Sequence, residues 1–174
     1  MPFLAIFLRD DLLLSGGLIG LVLGLRTFSQ QGMFIVGGAL SDRFGRKPVL
    51  IAMTLLALTT SYPALTLLAQ APSFSMMLSV LLWLSFLYGL YNGAMIPALT
   101  EIMPAEVRVA GFSLAYSLAT AVFGGFTPVI STALIEYTGD KASPGYWMSF
   151  AAVCAMLATL YLYRRSALHL QTAR

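Results

Sequence analysis

The sequence predicts an all-α protein, a polytopic bundle of transmembrane helices, and three observations carry that expectation. Hydrophobic residues make up 59% of the 174 and charged residues only 10%, against about 25% charged in an ordinary soluble domain. Mean hydropathy is +0.84, more apolar sequence than a water-soluble core needs. The apolar residues come in runs of roughly 20, the length a bilayer crossing requires, and charged or turn-forming segments separate them.

The chain opens on MPFLAIFL, which has no basic leading region and no small-residue cleavage site and so is not a secretory signal. Too short to span, it reads as the stump of a helix whose beginning is absent, closed by Arg9, Asp10 and Asp11. Residues 16–40 form a first full crossing and 49–69 a second, joined by the charged turn 41–48 (SDRFGRKP). A polar turn at 70–73 with Pro72 leads into a third crossing, 74–99, interrupted by Gly89, Asn92, Gly93 and Pro97. Segment 100–108 (TEIMPAEVR) is charged, and 109–135 is a fourth crossing with Gly124, Gly125 and Pro128 in its middle. A polar, turn-forming stretch, 136–145, precedes the fifth crossing, 146–163, and Arg164 and Arg165 open a polar tail. Five crossings and the stump make residues 1–174 a single transmembrane bundle.

The net charge of +3 does not point to nucleic acid, because the cations sit in short clusters between apolar runs. If the crossings alternate, Arg43, Arg46, Lys47, Arg108, Arg164 and Arg165 all fall on one side, and the positive-inside rule makes that side cytoplasmic. The expected setting is a bacterial-type inner membrane, crossed several times, with the C-terminus in the cytoplasm. The opposite loops hold Asp10, Asp11, Glu136 and Asp140 against Arg9 and Lys141, which fits an external face. Catalysis finds little support: Cys154 is the only cysteine and lies in an apolar run, His169 is the only histidine, and no glycine-rich phosphate loop follows a strand. No cofactor or metal is expected.

The strongest local pattern is GGALSDRFGRKP at 37–48, a tight turn between two spanning helices. Glycine lets the backbone reverse, and Asp42 with Arg43 and Arg46 can make charge-assisted contacts at the rim. The pattern resembles the loop motif of the major facilitator superfamily, written G-x-L-A-D-R-x-G-R-K, with Ser41 at the alanine position. The resemblance implies about half of that superfamily's fold. It also implies a conformational latch built from Gly38, Asp42, Arg43, Gly45 and Arg46, in which Asp42 meets the start of a helix in a neighbouring bundle, where negative charge is favoured. The plainer alternative is that Arg43, Arg46 and Lys47 are topology anchors only.

From 49 to 174 the likeness is closer. The stretches YGLYNGAMIPALTEIMPAEVR (88–108) and GFSLAYSLATAVFGGFTPVISTALIEYTGD (111–140), with the loop GDKASPGYW (139–147), are similar to the last four helices of metabolite:proton symporters in that superfamily, citrate-proton symporters above all. Residues 1–48 instead resemble the first hairpin of a drug-proton antiporter, so a truncated or chimeric chain is expected. The likeness implies proton-coupled symport of citrate or a related tricarboxylate, with a drug-proton antiporter fragment or an inert truncated protein as alternatives.

Several polar residues inside the crossings are candidates for a substrate cavity. Arg26 lies deep in the first crossing, where a charge costs at least about 2.5 kcal/mol and by default marks a functional interior, unless the helix shifts it towards water. Tyr88, Tyr91 and Asn92 fall at i, i+3 and i+4 and share a helix face. Ser113, Ser117, Thr120, Gly124 and Thr127 form a small, polar stripe on the fourth crossing, suited either to a hydrated carboxylate or to helix packing. Gly16, Gly20 and Gly24, and again Gly89 and Gly93, have the spacing of close helix contacts, and Pro63, Pro97 and Pro128 should bend their helices. No Asp or Glu lies deep in a crossing, so Glu101, at the rim, is the best candidate acid and the proton site is expected in missing sequence. The expected partners are the lipid bilayer, a small carboxylate and protons. Either self-association or a missing N-terminal bundle would supply the other wall of the cavity.

Overall fold

The computed structural model describes residues 16–70 and 73–172; the N-terminal stump, the break at 9–11 and part of the turn at 70–73 lie outside the described residues. Helix α1 runs Gly16–Phe44, α2 Arg46–Gln70 and α3 Phe74–Ile102. The fourth crossing is α4, Arg108–Ala119, a π-helical turn, Thr120–Gly125, and α5, Thr127–Thr138; α6 runs Pro144–Thr172. Five helical segments are long and apolar enough to cross a membrane. At 1.5 Å per residue the 29 residues of α1 reach roughly 43 Å, beyond a hydrocarbon core of about 30 Å.

Two expectations about boundaries change. The segment 41–48 is not an extended charged turn: α1 continues through Asp42 and Arg43 to Phe44, and α2 starts at Arg46. The whole reversal is made at Gly45, whose φ of +91° suits a residue without a Cβ. Pro48 falls in the first turn of α2, where no helical donor is lost. At the other end of the chain α6 continues beyond 163 to Thr172, although its span-forming part stops at Arg164.

The fourth crossing is not one continuous α-helix. Pro128 has no N–H to give the carbonyl of Gly124, and Gly124 and Gly125 are poor helix formers, so the turn before it widens to a π-turn. The Thr127 hydroxyl caps the Phe123 carbonyl and also accepts the Trp147 indole N–H at 2.9 Å. Phe123 and Phe150 flank the Trp147 ring at 5.8 and 5.5 Å, so this joint is pinned to α6 by aromatic packing.

Packing of α1, α2, α3 and α6 forms the body of the bundle. Helices α1 and α3 run parallel and very close, because Gly37, Gly89 and Gly93 let backbones touch. A Cβ at these positions would strike the carbonyl oxygens of Leu90, Gln30 and Phe34 respectively. Gly16, Gly20 and Gly24, by contrast, have nothing within 4 Å of a built Cβ, so the close-contact reading of that repeat fails among the described residues. Helices α2 and α6 are antiparallel: Tyr62 stacks on Tyr146 at 4.7 Å, and a Cβ at Gly145 would come within 2.9 Å of the Tyr62 Cα. One buried cluster, Val49, Leu50, Ala94 and Ala98, seals α2 to α3, and Val22 with Met77 seals α1 to α3. No residue of α4, the π-turn or α5 is buried. Large apolar side chains such as Phe28, Ile35, Val109 and Leu114 point outward, as a lipid-facing surface requires.

Candidate functional site

Two sites emerge, one at the end of the bundle that carries Gly45 and one at mid-height. At the first, Arg46 is the hub. Its guanidinium pairs with Asp42 at 2.5 Å across the turn and with Glu101 at 2.8 Å at the end of α3. The Arg46 side chain is 18% exposed whereas Asp42 and Glu101 are 67% and 56% exposed, so the cation is enclosed and its carboxylates face water. Both ion pairs among the described residues belong to this hub.

Ser41 completes it. Its hydroxyl donates to the Gly38 carbonyl at 2.8 Å and accepts from Arg46 Nη1, all at a position only 1% exposed. An alanine there would leave the buried end of the guanidinium without that acceptor. Gly38 sits 3.7 Å, measured from a built Cβ, from the Gly93 carbonyl oxygen, so it supports the α1–α3 approach. Arg43 lies over the ring of Phe44 at 5.6 Å and Lys47 over Tyr163 at 6.0 Å, which brings α6 to the same corner. Thus Gly38, Asp42, Arg43, Gly45, Arg46 and Glu101 gather at one end, and α1, α2 and α3 are clamped through one guanidinium.

The mid-height residues separate into two groups. Tyr91 packs against Val49, Leu50, Ala94 and Ala98 in the α2–α3 core, away from the others. Asn92 is 6% exposed and donates from its side-chain amide to the Tyr88 carbonyl at 2.8 Å, so its polar need is met within its own turn. Tyr88 is half exposed; its phenol interacts with Tyr116 on α4 and with Asn92, and feels the charge of Arg26 on α1. Ser117 and Thr120 line an open groove of about 520 Å³ together with Tyr116, Ala121, Gly124 and Gly125. Tyr88 and Asn92 of α3 therefore meet the fourth crossing through Tyr116, which borders the groove, while Arg26 of α1 reaches Tyr88 only through its charge.

Tyr116 is the residue that sequence reasoning missed. It precedes Ser117, in the polar stripe, by one position, and its ring stacks on Phe112 at 5.6 Å. An aromatic in an apolar run reads as packing. Its pairing with Tyr88 depends on how two helices meet.

These features define a multi-pass membrane protein. The chain belongs to the Major Facilitator Superfamily, whose sequence pattern it matches over residues 1–173. It is 88% identical over 139 residues, 80% of this chain, to a citrate-proton symporter of Klebsiella pneumoniae. It is 59% identical over 130 residues, 75% of the chain, to a citrate-proton symporter of Salmonella typhi, and 32% identical over 132 residues, 74% of the chain, to the alpha-ketoglutarate permease of Escherichia coli K12. The chain spans 31%, 30% and 29% of the length of these three curated relatives. No solved structure matches it.

Proposed function

We propose that this chain is part of a secondary transporter that carries citrate or a related tricarboxylate together with protons across a bacterial inner membrane. The observation that carries the reading is the 88% identity to the Klebsiella symporter. The C-terminus and the Arg46 corner face the cytoplasm in this reading, because the basic loops gather there. Asp42, Arg43 and Arg46 act as a latch with Gly38 and Gly45 as its backbone, and Glu101 is the rim acid that holds Arg46 closed. Arg26, Tyr88, Asn92, Ser117 and Thr120 contribute one wall of the substrate cavity, with Tyr91 stiffening it from the core side. The facing wall comes from a second bundle, either another polypeptide or a second copy. We further propose that residues 1–48 are an antiporter-like hairpin joined to a citrate-type segment, 49–174, a reading carried by the wording of the first hairpin in the sequence.

The test is uptake of labelled citrate by inverted and right-side-out vesicles containing the chain alone, or the chain co-produced with the complementary bundle of the Klebsiella relative. Citrate accumulation driven by an imposed proton gradient and abolished by a protonophore is expected in the co-produced sample. Export of a cationic dye with no citrate flux would overturn the reading in favour of an antiporter, and no flux of either kind would mark the chain as inert.

A further inference from the structure

At the end of the bundle that carries Gly45, α2 begins and α6 completes its span. Arg46 is spent there on Asp42 and Glu101, and the Arg108 guanidinium donates to the Met103 carbonyl at 3.3 Å. Lys47 and Arg164 face outward, and neither belongs to an ion pair among the described residues. The Lys47 ammonium stands 6.0 Å from the centroid of the Tyr163 ring, and Tyr163 packs against the buried cluster of Val49, Leu50, Ala94 and Ala98. A seated ring thus holds one cation at the seam between α2 and α6. Arg164 follows Tyr163 directly, so a second cation borders the same seam.

Beside the seam, α6 presents an ordered stripe. Leu157, Leu160, Tyr161 and Arg164 fall at i, i+3, i+4 and i+7, and all four are exposed. The stripe covers roughly the last 10 Å of the crossing, whose span-forming part stops at Arg164. Leucines, then a phenol, then a cation follow the order of acyl chain, interface and headgroup in one leaflet. Lysine and arginine offer donors and no acceptor, which suits a phosphate. Both carboxylates of this corner, Asp42 and Glu101, are paired with Arg46.

We propose that the seam between α2 and α6 binds an anionic phospholipid, its phosphate held between Lys47 and Arg164 and one acyl chain laid along Leu160 and Leu157. Tyr161 stands at the level of the lipid's ester groups. A zwitterionic lipid brings the same phosphate together with a cation that Lys47 and Arg164 repel, so the seam selects the headgroup with net negative charge. The inference does not depend on what the chain carries.

Mass spectrometry of the intact chain tests this, after purification in neutral detergent and mixing with equal amounts of dioleoyl phosphatidylglycerol and dioleoyl phosphatidylcholine. The parent should retain phosphatidylglycerol in preference. Lys47→Gln and Arg164→Gln should each weaken that preference roughly fivefold, and the double variant more. Lys47→Arg should keep it, as should Lys141→Gln, which removes the same charge from the loop between α5 and α6. Thermal unfolding checks that the variants fold; should the double variant fail, Arg164→Gln, at an exposed position, carries the test alone. No preference in the parent, an undiminished one in a folded Arg164→Gln, or an equal loss in Lys141→Gln would each overturn the proposal. Displacement of the lipid by glycerol 3-phosphate would also overturn it, because the site would then hold a free phosphate without need of the acyl chain.

Discussion

At the scale of the residue, glycines and one arginine set the geometry. Gly89 and Gly93 matter because the α1 backbone occupies the space where a Cβ would stand. Gly93→Val should therefore force α1 and α3 apart at a cost of about 1–3 kcal/mol, typical of overpacking. Thermal unfolding in detergent would register this as a lower midpoint, while Gly20→Val, in open space, should leave the midpoint in place. The Arg46 hub has a different energetic character. Its carboxylate partners are more than half exposed, so water and salt screen the pairs, and a double-mutant cycle between Arg46 and Glu101 should yield only about 0.2–1 kcal/mol, shrinking as salt is added. Ser41→Ala should cost about as much as either ion pair or more, because the serine is buried and its partner stays charged. A weak, screened clamp is the kind of contact a moving part can open, whereas the glycine contact is not.

At the scale of the element, the fourth crossing is the exception. The other spans are continuous helices, including α2 and α3 with Pro63 and Pro97 inside them. In α3 the helix runs on through Pro97, and the Thr100 hydroxyl donates to the Pro97 carbonyl. At Pro128 two glycines precede the proline, and the chain widens instead of continuing. Gly124→Ala with Gly125→Ala should narrow the turn, since alanine favours α-helix by roughly 1 kcal/mol per site and open space or van der Waals contact surrounds both positions. Spin labels at positions 113 and 131 would report the change as an altered distance distribution; an unaltered one would show that Pro128 alone sets the turn. Thr127→Val should free the Trp147 indole at a cost of about 1 kcal/mol and shift its fluorescence, because valine keeps the shape and removes the acceptor.

At the scale of the whole molecule, the bundle has a packed side and an open one. Helices α1, α2, α3 and α6 share the buried clusters and the hub, while the fourth crossing meets α3 and α6 more sparsely and buries no residue. Such a face needs lipid or another bundle against it. Cysteines placed singly at Arg43 and Glu106, in a Cys154→Ala background, should be shielded from a membrane-impermeant maleimide in intact cells, and one at Lys141 should react. The opposite pattern would invert the proposed topology.

The sequence by itself determined the number of crossings, the one-sided gathering of basic residues and the superfamily motif, because burial in lipid demands long apolar runs and loops must carry the charge. It could not say that Ser41 would hold Arg46, that Tyr91 would leave the face of Tyr88 for the core, or that Gly89 and Gly93 would be crowded while Gly16, Gly20 and Gly24 stood open. Spacing places residues on one face of one helix; which helix lies opposite that face, and at what register, is settled only when the helices pack. Tyr116 is the clearest case: one aromatic among many in the chain, it gains its neighbour Tyr88 solely from the meeting of two helices.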